Sequence, residues 1–471
     1  MTPPAVPAAV APVVAAFLAD RGAVDAALRR FGSPVHLVFP QVFDANLTAL
    51  RTVLDAAAPR YRICYAHKVN RSGAFARAAA AAGIAIDVAS VWELRAAQAA
   101  GFAGDRIEVT GPKGVALLRE AVAAGATINV DNLWELETLV AMAGPDSPVP
   151  VLLRISGFAE GAPSRFGIDL GAAGAALELL VRHRARLRLL GFAFHLDTAA
   201  TAERIGAVTD CLRLIELAYT RELAPSVLDI GGGLRQVFTA DATAYDAYDA
   251  ALRAGLRGTG PALQWGAATF GYQVCGGAIH GGPVYHKYAN TEPAAAILAD
   301  LLATPLPGHG GHTMDRVLAD NLLDLWLEPG KALVDQAGIT IATVEFVKQA
   351  GNGATLVHLD LSRDTVTAAD QEVLIDPIVL SATARDEPVG VFFAGRLCLE
   401  RDLITQRQVR LDGVPAPGDR VVFANTAAYH MDLSAAIAGM HPLPAKVAVC
   451  RDDSGFTLCP DADYRPDGVV V

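Results

Sequence analysis

The sequence lacks the features that mark several large classes of protein. Its six cysteines stand far apart and form no C-x-x-C pair, which excludes a disulfide framework and a cysteine zinc site. Acidic residues outnumber basic ones by 50 to 39, so we expect neither nucleic acid nor an anionic membrane as a partner. The first twenty residues carry no basic stretch, are interrupted by prolines and are too short to span a bilayer. We therefore expect a cytoplasmic protein with reduced thiols.

Apolar residues, in contrast, are plentiful. They make up 52% of the 471 residues, and charged residues make up 19%. This is a globular composition with ample material for a core. The length exceeds what one ordinary core supports and is typical of two or three domains.

A regular alternation of two patterns runs from about residue 42 to 235. Short β-branched stretches such as YRICYAHK are each followed by a segment with helical spacing, such as RSGAFARAAAAAG, which ends on a glycine. About seven such units follow one another, which predicts a parallel sheet. Because the pattern never doubles back, we expect a closed (β/α)8 barrel, with LDLWLEPGK at 323–331 as its last strand.

The pattern changes after about residue 340 to short strands separated by turn residues, which predicts a C-terminal β-rich domain. We expect three regions. Residues 1–40 hold a helix and the strand SPVHLVFP, which could pair into the barrel but which we expect to join the β-rich domain. Residues 41–340 form the barrel, with an insertion at about 240–320, and residues 341–471 form the β-rich domain. No carboxylate or cysteine accompanies His309 and His312 of the insertion at a suggestive spacing, so we expect no metal site.

Chemically useful residues recur where the predicted barrel strands end, which is where barrel enzymes place their functional groups. An amine can form a Schiff base, glycine amides can hold a phosphate, an imidazole can cover a ring, and a carboxylate can meet a ring nitrogen. Together they specify a site for pyridoxal 5'-phosphate. The residues are Lys68, Asp87, Arg154, His195, Gly231, Gly232, Gly233 and Glu328.

Several motifs, in order, resemble those of the fold type III pyridoxal-phosphate decarboxylases, the ornithine/diaminopimelate/arginine decarboxylase group. The resemblance runs from about residue 32 to 442. YAHKVN is similar to the family's Y-A-x-K-A-N, and GIAIDVASVWEL to its G-x-x-x-D-x-x-S-x-x-E-L. FHLDT, DIGGGL, EPGK, GRLCLERD and NTAAYHM are similar to its H-x-G-S, glycine-loop, E-P-G-R, G-x-x-C and G-A-Y segments. The resemblance implies an alanine-racemase-like barrel with a C-terminal β domain.

The resemblance also implies roles for individual residues. Lys68 would carry the Schiff base, His195 would stack on the cofactor ring, and Glu328 would pair with the ring nitrogen. Phosphate contacts are implied for Thr198, Gly231, Gly232, Gly233 and Tyr429, and further contacts in the cofactor site for Asp87, Arg154 and Lys331. The implied reaction is decarboxylation of an amino acid through a quinonoid intermediate. Cys398 would return the proton from across the interface of a head-to-tail homodimer with shared active sites.

The substrate end departs from the family pattern. Leu399 stands where the family has an acidic residue, Glu400 lies one place further on, and Lys331 replaces an arginine. The segment HLDLSRDTV, which contains Asp360 as a candidate substrate contact, lacks the R-P-x-x-Y of diaminopimelate decarboxylases. With the insertion, these departures argue against ornithine, lysine or diaminopimelate and favour an unusual or larger amino acid.

Two other functions remain open. A racemase, epimerase or eliminating lyase on the same scaffold would remove a proton from Cα instead of the carboxylate. Alanine-racemase-like enzymes, however, set an arginine against the ring nitrogen, and Glu328 argues against that branch. A catalytically silent regulator, similar to antizyme inhibitor, would keep the fold and lose the cofactor, which the retained Lys68 and glycines disfavour.

Overall fold

The computed structural model describes residues 2–144, 146–158, 164–198, 200–239, 241–285, 289–367, 375–381 and 387–466. The strands in these residues are β1 (Val35–Val38), β2 (Tyr61–Ala66), β3 (Ala85–Val88), β4 (Ile107–Val109), β5 (Thr127–Val130), β6 (Val149–Ser156), β7 (Ile168–Asp169), β8 (Leu187–Ala193), β9 (Val227–Asp229), β10 (Tyr272–Cys275), β11 (Ala278–Gly281), β12 (Asp324–Leu327), β13 (Gly338–Gln349), β14 (Thr355–Leu359), β15 (Ile378–Leu380), β16 (Val389–Ala394), β17 (Val409–Leu411), β18 (Arg420–Phe423), β19 (Ala445–Asp452) and β20 (Gly455–Pro460).

The α-helices of the described residues alternate with the strands in the first half of the chain and are absent from its last third. They are α1 (Pro12–Ala19), α2 (Arg21–Phe31), α3 (Pro40–Ala57), α4 (Gly73–Ala81), α5 (Val91–Ala99), α6 (Val115–Ala124), α7 (Leu133–Met142), α8 (Ala173–Arg182), α9 (Thr201–Tyr219), α10 (Ala242–Leu256), α11 (Ala294–Leu302) and α12 (Met314–Asp320). Within this part of the chain no helix is both long and apolar enough to cross a bilayer.

Eight parallel strands close into a barrel, which confirms the predicted (β/α)8 fold. The strands run in the order β5-β4-β3-β2-β12-β9-β8-β6, and pairing of β5 with β6 closes the ring. All four residues of β3 and of β5 are buried, as expected for a sheet covered on both faces. The last barrel strand is shorter than predicted and ends at Leu327. Pro329 has no N–H to give to a strand ladder, so Glu328 begins a loop instead.

Three helix N-termini at the carboxyl ends of the barrel strands are held by side-chain caps. Ser72 accepts the amide of Phe75 at the start of α4, and Ser90 accepts the amide of Glu93 in α5. At the start of α7, the side chain of Asn132 accepts the amide of Glu135. Each such cap stabilises its helix by about 1 kcal/mol. The loops at this end of the barrel are therefore closely defined in direction, and they carry the residues of the candidate site.

The β-rich domain is a separate sheet in the order β17-β16-β14-β13-β1-β19-β20, with β18 paired to β13 and β15. The β-rich domain predicted from the sequence is thus confirmed. Strand β1 lies between β13, which is antiparallel to it, and β19, which is parallel to it. A chain segment that precedes the barrel therefore forms part of this sheet and joins the two units.

The insertion after β9 is a folded region that contains α10, the β10–β11 hairpin, α11 and α12. Tyr245, Tyr248 and Tyr285 of this region are buried in a small core that also includes Val6 and Ala424 from outside it. Asp249 on α10 accepts hydrogen bonds from Tyr272 at 2.6 Å and Tyr285 at 3.0 Å, which tie the hairpin region to the helix. Helix α11 packs against α3 of the barrel.

Candidate active site

Lys68 lies just beyond β2, on the single 3-10 turn His67–Val69, with its side chain exposed at the barrel mouth. The carbonyl of the neighbouring Val69 accepts the amide of Tyr429 at 2.8 Å, so the β-rich domain meets the barrel beside this lysine. Burial by the surrounding loops lowers the pKa of the Lys68 ammonium, but the carboxylates of Asp87 and Glu328 outweigh burial, and the net pKa is raised. The free amine is therefore held in its charged form.

Asp87 supplies one of these carboxylates. It ends β3 in register with Ala66 of β2 and is buried. One carboxylate oxygen, Oδ1, accepts the hydroxyl of Thr110 at 2.5 Å, whereas Oδ2 has no hydrogen-bond partner among the described residues. Burial raises the pKa of Asp87 to about 7, with a further contribution from Glu328. The unsatisfied Oδ2 marks this carboxyl as one that is free to bind a ligand.

The glycine loop, Gly231–Gly233, follows β9 and packs tightly against two neighbouring strand ends. A Cβ on Gly231 would lie 2.4 Å from the Phe194 carbonyl oxygen, and one on Gly232 would lie 2.4 Å from the Glu328 carbonyl oxygen. Gly231 also has φ of +65°, a conformation that side chains rarely adopt. No other residue type fits this loop, which brings main-chain groups close to whatever lies above it.

His195 stands beside the loop as a neutral ring. Its Nδ1 accepts the amide of Gly232 at 3.2 Å, which places the ring proton on Nε2. Burial lowers the pKa of His195, although the neighbouring Glu328 opposes this effect. Glu328 Oε2 lies 3.8 Å from Nδ1, too far for a hydrogen bond. An uncharged imidazole can lie flat against an aromatic ring without repelling a nearby cation.

Glu328 belongs to a carboxylate trio with Glu108 and Asp229, in which one oxygen of each lies within 4.8 Å of the others. Asn129 donates to Glu108 at 3.0 Å and to Glu328 at 3.3 Å. Burial raises the pKa of Glu108 and of Asp229 well above the ordinary range. Burial also acts to raise the pKa of Glu328, but nearby positive charges, Lys68 and Arg154 among them, act against it and the net pKa is lowered. The trio therefore carries its negative charge on Glu328.

Sequence reasoning missed Glu108, Asn129 and the side chain of Asp229. A signal was present, because each interrupts an otherwise apolar barrel strand: RIEVT, TINV and VLDI. These strands are three or four residues long and are buried on both faces, so a polar residue in them does not belong to a solvent-exposed face. It could have been recognised as a candidate for the site.

The remaining predicted cofactor residues surround the same space. Arg154 lies 3.9 Å from Asp131, and its guanidinium covers the ring of Phe166. Tyr429 has φ of +69°, a strained value for a residue with a side chain. Lys331 Nζ lies 2.5 Å from a carboxylate oxygen of Asp197, a residue that the sequence did not single out.

The predicted substrate residues lie apart from this group. Cys398, Leu399 and Glu400 are exposed on the loop after β16, which Asp402 fastens by accepting the amides of Arg363 and Leu397. The carboxylate of Asp360 accepts the amide of Thr343 at 2.9 Å within the β-rich domain. In the described part of the chain, no hydrogen bond or ion pair joins these four predicted residues to Lys68, Asp87 or Glu328.

A cavity of about 390 Å³ opens beside His195 and Arg154. Its walls are largely apolar, with Phe158, Phe166 and Leu196 among them, and two carboxylic side chains, Glu203 and Asp210, reach it from α9. The cavity offers space for a substrate next to the imidazole of His195 and the guanidinium of Arg154. The combined groups can bind a carbonyl compound that carries a ring nitrogen and an anionic group.

Comparisons with known proteins address the family and the fold of the chain. Residues 45–261 match the family described as pyridoxal-dependent decarboxylase, pyridoxal binding domain. An uncharacterized protein, y4yA, of Sinorhizobium fredii is 34% identical over 92% of this chain and 91% of its own length. Diaminopimelate decarboxylase from M. jannaschii, solved with L-lysine, shares the fold with a TM-score of 0.69 and 18% identity over 95% of this chain and 94% of that one. Lysine/ornithine decarboxylase from Vibrio vulnificus, solved with putrescine, has a TM-score of 0.65 and 21% identity over 93% and 99%.

Proposed function

Because the chain belongs to the pyridoxal-dependent decarboxylases of fold type III, we propose that it binds pyridoxal 5'-phosphate and decarboxylates an amino acid. The observation that carries the proposal is the position of Lys68. Its amine lies at the barrel mouth, close enough to the carboxylates of Asp87 and Glu328 for both to raise its pKa, and the glycine loop and His195 lie at the same end of the barrel.

The residues present fit the cofactor. Lys68 would hold the aldehyde of the cofactor. Glu328 would pair with its ring nitrogen, and His195 would cover one face of its ring. The glycine loop, Thr198 and Tyr429 would hold its phosphate. The unsatisfied Oδ2 of Asp87 and the close packing of the glycine loop are the structural features that a ligand of this kind requires. When bound, pyridoxal phosphate withdraws electrons from Cα of the amino acid, which makes loss of CO2 feasible.

The protein's own groups control charge and protons around that reaction. The pKa of Glu328 is lowered whereas the pKa values of Glu108 and Asp229 are raised, so the trio would present a single negative charge, on Glu328, that would favour a protonated ring nitrogen in a bound cofactor. His195 stays neutral, so the ring meets no added positive charge on that face. Lys68, once its amine is displaced, can hold or pass on a proton at Nζ.

We propose that Cys398 supplies a proton in the active site of a partner subunit. In its own chain the Cys398 loop has no hydrogen bond or ion pair to Lys68 among the described residues, and the loop is exposed. Exposed apolar side chains lie on it and on the adjoining segment that follows Tyr429, with Leu399 at 49% and Met440 at 94% exposure. Such a patch is typical of a protein–protein interface. A head-to-tail homodimer would cover it and bring the thiol to the partner's site.

The substrate end supports an amino acid other than ornithine, lysine or diaminopimelate. Leu399 cannot bind a distal amine, and the 390 Å³ cavity next to His195 is mostly apolar. We propose a larger amino acid whose side chain enters this cavity, and a role in amino acid metabolism in the cytoplasm, where the six free thiols would stay reduced.

A screen of reconstituted protein tests the proposal. Purified protein is loaded with pyridoxal phosphate and incubated with single amino acids in D2O, and both released CO2 and deuterium at Cα are measured. We expect CO2 from at least one larger amino acid, with deuterium in the amine product. K68A should release none, and K348M, at an exposed lysine of β13, should match the wild type. Deuterium exchange without CO2 would instead establish the epimerase or racemase alternative, and failure to bind the cofactor would establish the silent one.

A further inference from the structure

Lys331, one of the cations predicted to contact the cofactor, is already paired in this structure. Lys331 stands where the family has an arginine, and its ammonium lies 2.5 Å from Asp197 Oδ1. A lysine and an aspartate at this distance have no net charge. A phosphate monoester carries about two negative charges near neutral pH. Lys331 alone therefore leaves most of that charge without a buried counter-charge.

Arg204 is a second cation at the same place. It lies in the first turn of α9 and is only 3% exposed. Its Nη2 donates to the carbonyl of Leu196 at 2.7 Å and its Nη1 donates to the carbonyl of Gly232 at 3.2 Å. The guanidinium thus fastens the glycine loop to the loop that follows His195. No carboxylate of the described residues comes within ion-pair distance of it, although a buried guanidinium remains charged and normally has an anion as its neighbour.

A small cavity of about 90 Å³ lies against this guanidinium. Two residues with predicted phosphate contacts, Thr198 and Gly233, line it, as does the hydroxyl-bearing Thr201. Helix α9 starts here without a side-chain cap, since its N-cap is Ala200, so its first amides are not satisfied by a cap. The other lining residues are Arg204, Arg235, Asn290, Glu292, Ile297, Asp300 and Leu301, several of which belong to the insertion.

We propose that Arg204 supplies the buried positive charge of the phosphate site and holds the glycine loop in place for it. The inference rests on the proposed function and adds to it a residue outside the motifs of the family resemblance. It also gives the insertion a role, because Asn290 and Glu292 are among the residues that line the cavity. The ligand chemistry is a phosphate monoester on the cofactor.

The test compares two aldehydes that differ only in the phosphate. Dissociation constants for pyridoxal phosphate and for pyridoxal are measured by absorbance titration of the wild type, R204Q and K331M. We expect R204Q to raise the dissociation constant of pyridoxal phosphate at least about tenfold, because a charge-assisted contact to a buried anion is lost. The dissociation constant of pyridoxal should stay nearly unchanged. K331M should have a smaller effect, because its charge is already neutralised by Asp197. Equal weakening of both aldehydes by R204Q, or no weakening, overturns the inference.

A second pair of variants decides the question if R204Q does not fold. Thr201 is exposed at the start of α9 and lines the cavity. A variant with aspartate at this position should fold, because acidic residues suit a helix N-terminus. T201D puts a negative charge next to Arg204, and T201N is its uncharged control. We expect T201D to weaken the binding of pyridoxal phosphate, relative to that of pyridoxal, several-fold more than T201N does. An unchanged preference in T201D overturns the inference. If the wild type binds neither aldehyde, the proposed function itself fails.

Discussion

Replacing Glu108 by glutamine tests how the carboxylate trio is charged. Burial raises the pKa of Glu108 well above its ordinary value of 4.5, and the neighbouring Asp229 and Glu328 raise it further. In the unfolded chain, by contrast, this glutamate ionises near its ordinary value. Between about pH 5 and 8 the native protein therefore binds one more proton at Glu108 than the unfolded chain does. The free energy of unfolding must fall as the pH rises through this range.

The magnitude follows from linkage. Each carboxyl that stays protonated only in the native state lowers the free energy of unfolding by about 1.4 kcal/mol per pH unit. Glu108 and Asp229 together give a slope of about 3 kcal/mol per unit, and E108Q removes half of it. At pH 7, above the ordinary pKa of 4.5, E108Q should be more stable than the wild type, and the difference should grow as the pH rises, at most by about 1.4 kcal/mol per pH unit. The glutamine oxygen can still accept from Asn129, so the hydrogen bond at 3.0 Å is kept.

Urea unfolding of the cofactor-free protein at pH 5, 6, 7 and 8 measures this effect, since a bound cofactor would add its own linkage. Glu216→Gln, at an exposed position on α9, controls for the loss of a carboxylate. We expect the curves of E108Q and the wild type to converge toward pH 5 and to separate as the pH rises. A variant that is less stable than the wild type at pH 7, with an unchanged slope, would show that Glu108 is ionised and paired, and would refute the reasoning.

Three further predictions concern the loop, the dimer and the sheet that joins the two units. G232A should weaken cofactor binding at least about tenfold in an absorbance titration, because its Cβ would lie 2.4 Å from a carbonyl oxygen, whereas G174A, with open space around its Cβ, should bind normally. K68A and C398A should each be inactive, but a refolded mixture should regain CO2 release, and the absence of any recovery would argue against shared sites. Burial lowers the pKa of His36 to about 3, so this ring by itself removes stability as the pH falls from about 6.5 toward 3. In urea unfolding at pH 4, 5 and 6, H36Q should therefore become more stable relative to the wild type as the pH falls, and a difference that does not change with pH would contradict the prediction.

Much of the fold could be predicted because its periodic signal is long. About seven strand–helix units in succession leave a parallel sheet as the natural arrangement, and the change of pattern after residue 340 indicates the β-rich domain. The residues that the structure brings together at the barrel mouth, among them Lys68, Asp87 and Glu328, could be found because a polar residue at a strand end is unusual. Their functional roles remain proposals.

What could not be predicted depends on contacts across the chain. Glu108 and Asp229 meet Glu328 only because the barrel closes, and no spacing along the sequence shows that. The pairing of Lys331 with Asp197 and the burial of Arg204 depend on loop conformations that local propensity does not define. The length of β12 was overestimated because an apolar run was extended through a proline.

The position at which the cofactor is attached can be located chemically. Protein loaded with pyridoxal phosphate is reduced with borohydride, digested and analysed by mass spectrometry to locate the attached pyridoxyl group. The account predicts one modified peptide per chain, containing residues 67–70, with the group on Lys68 and no such label in K68A. A label on another lysine, or stoichiometric binding without any attachment at Lys68, would contradict it.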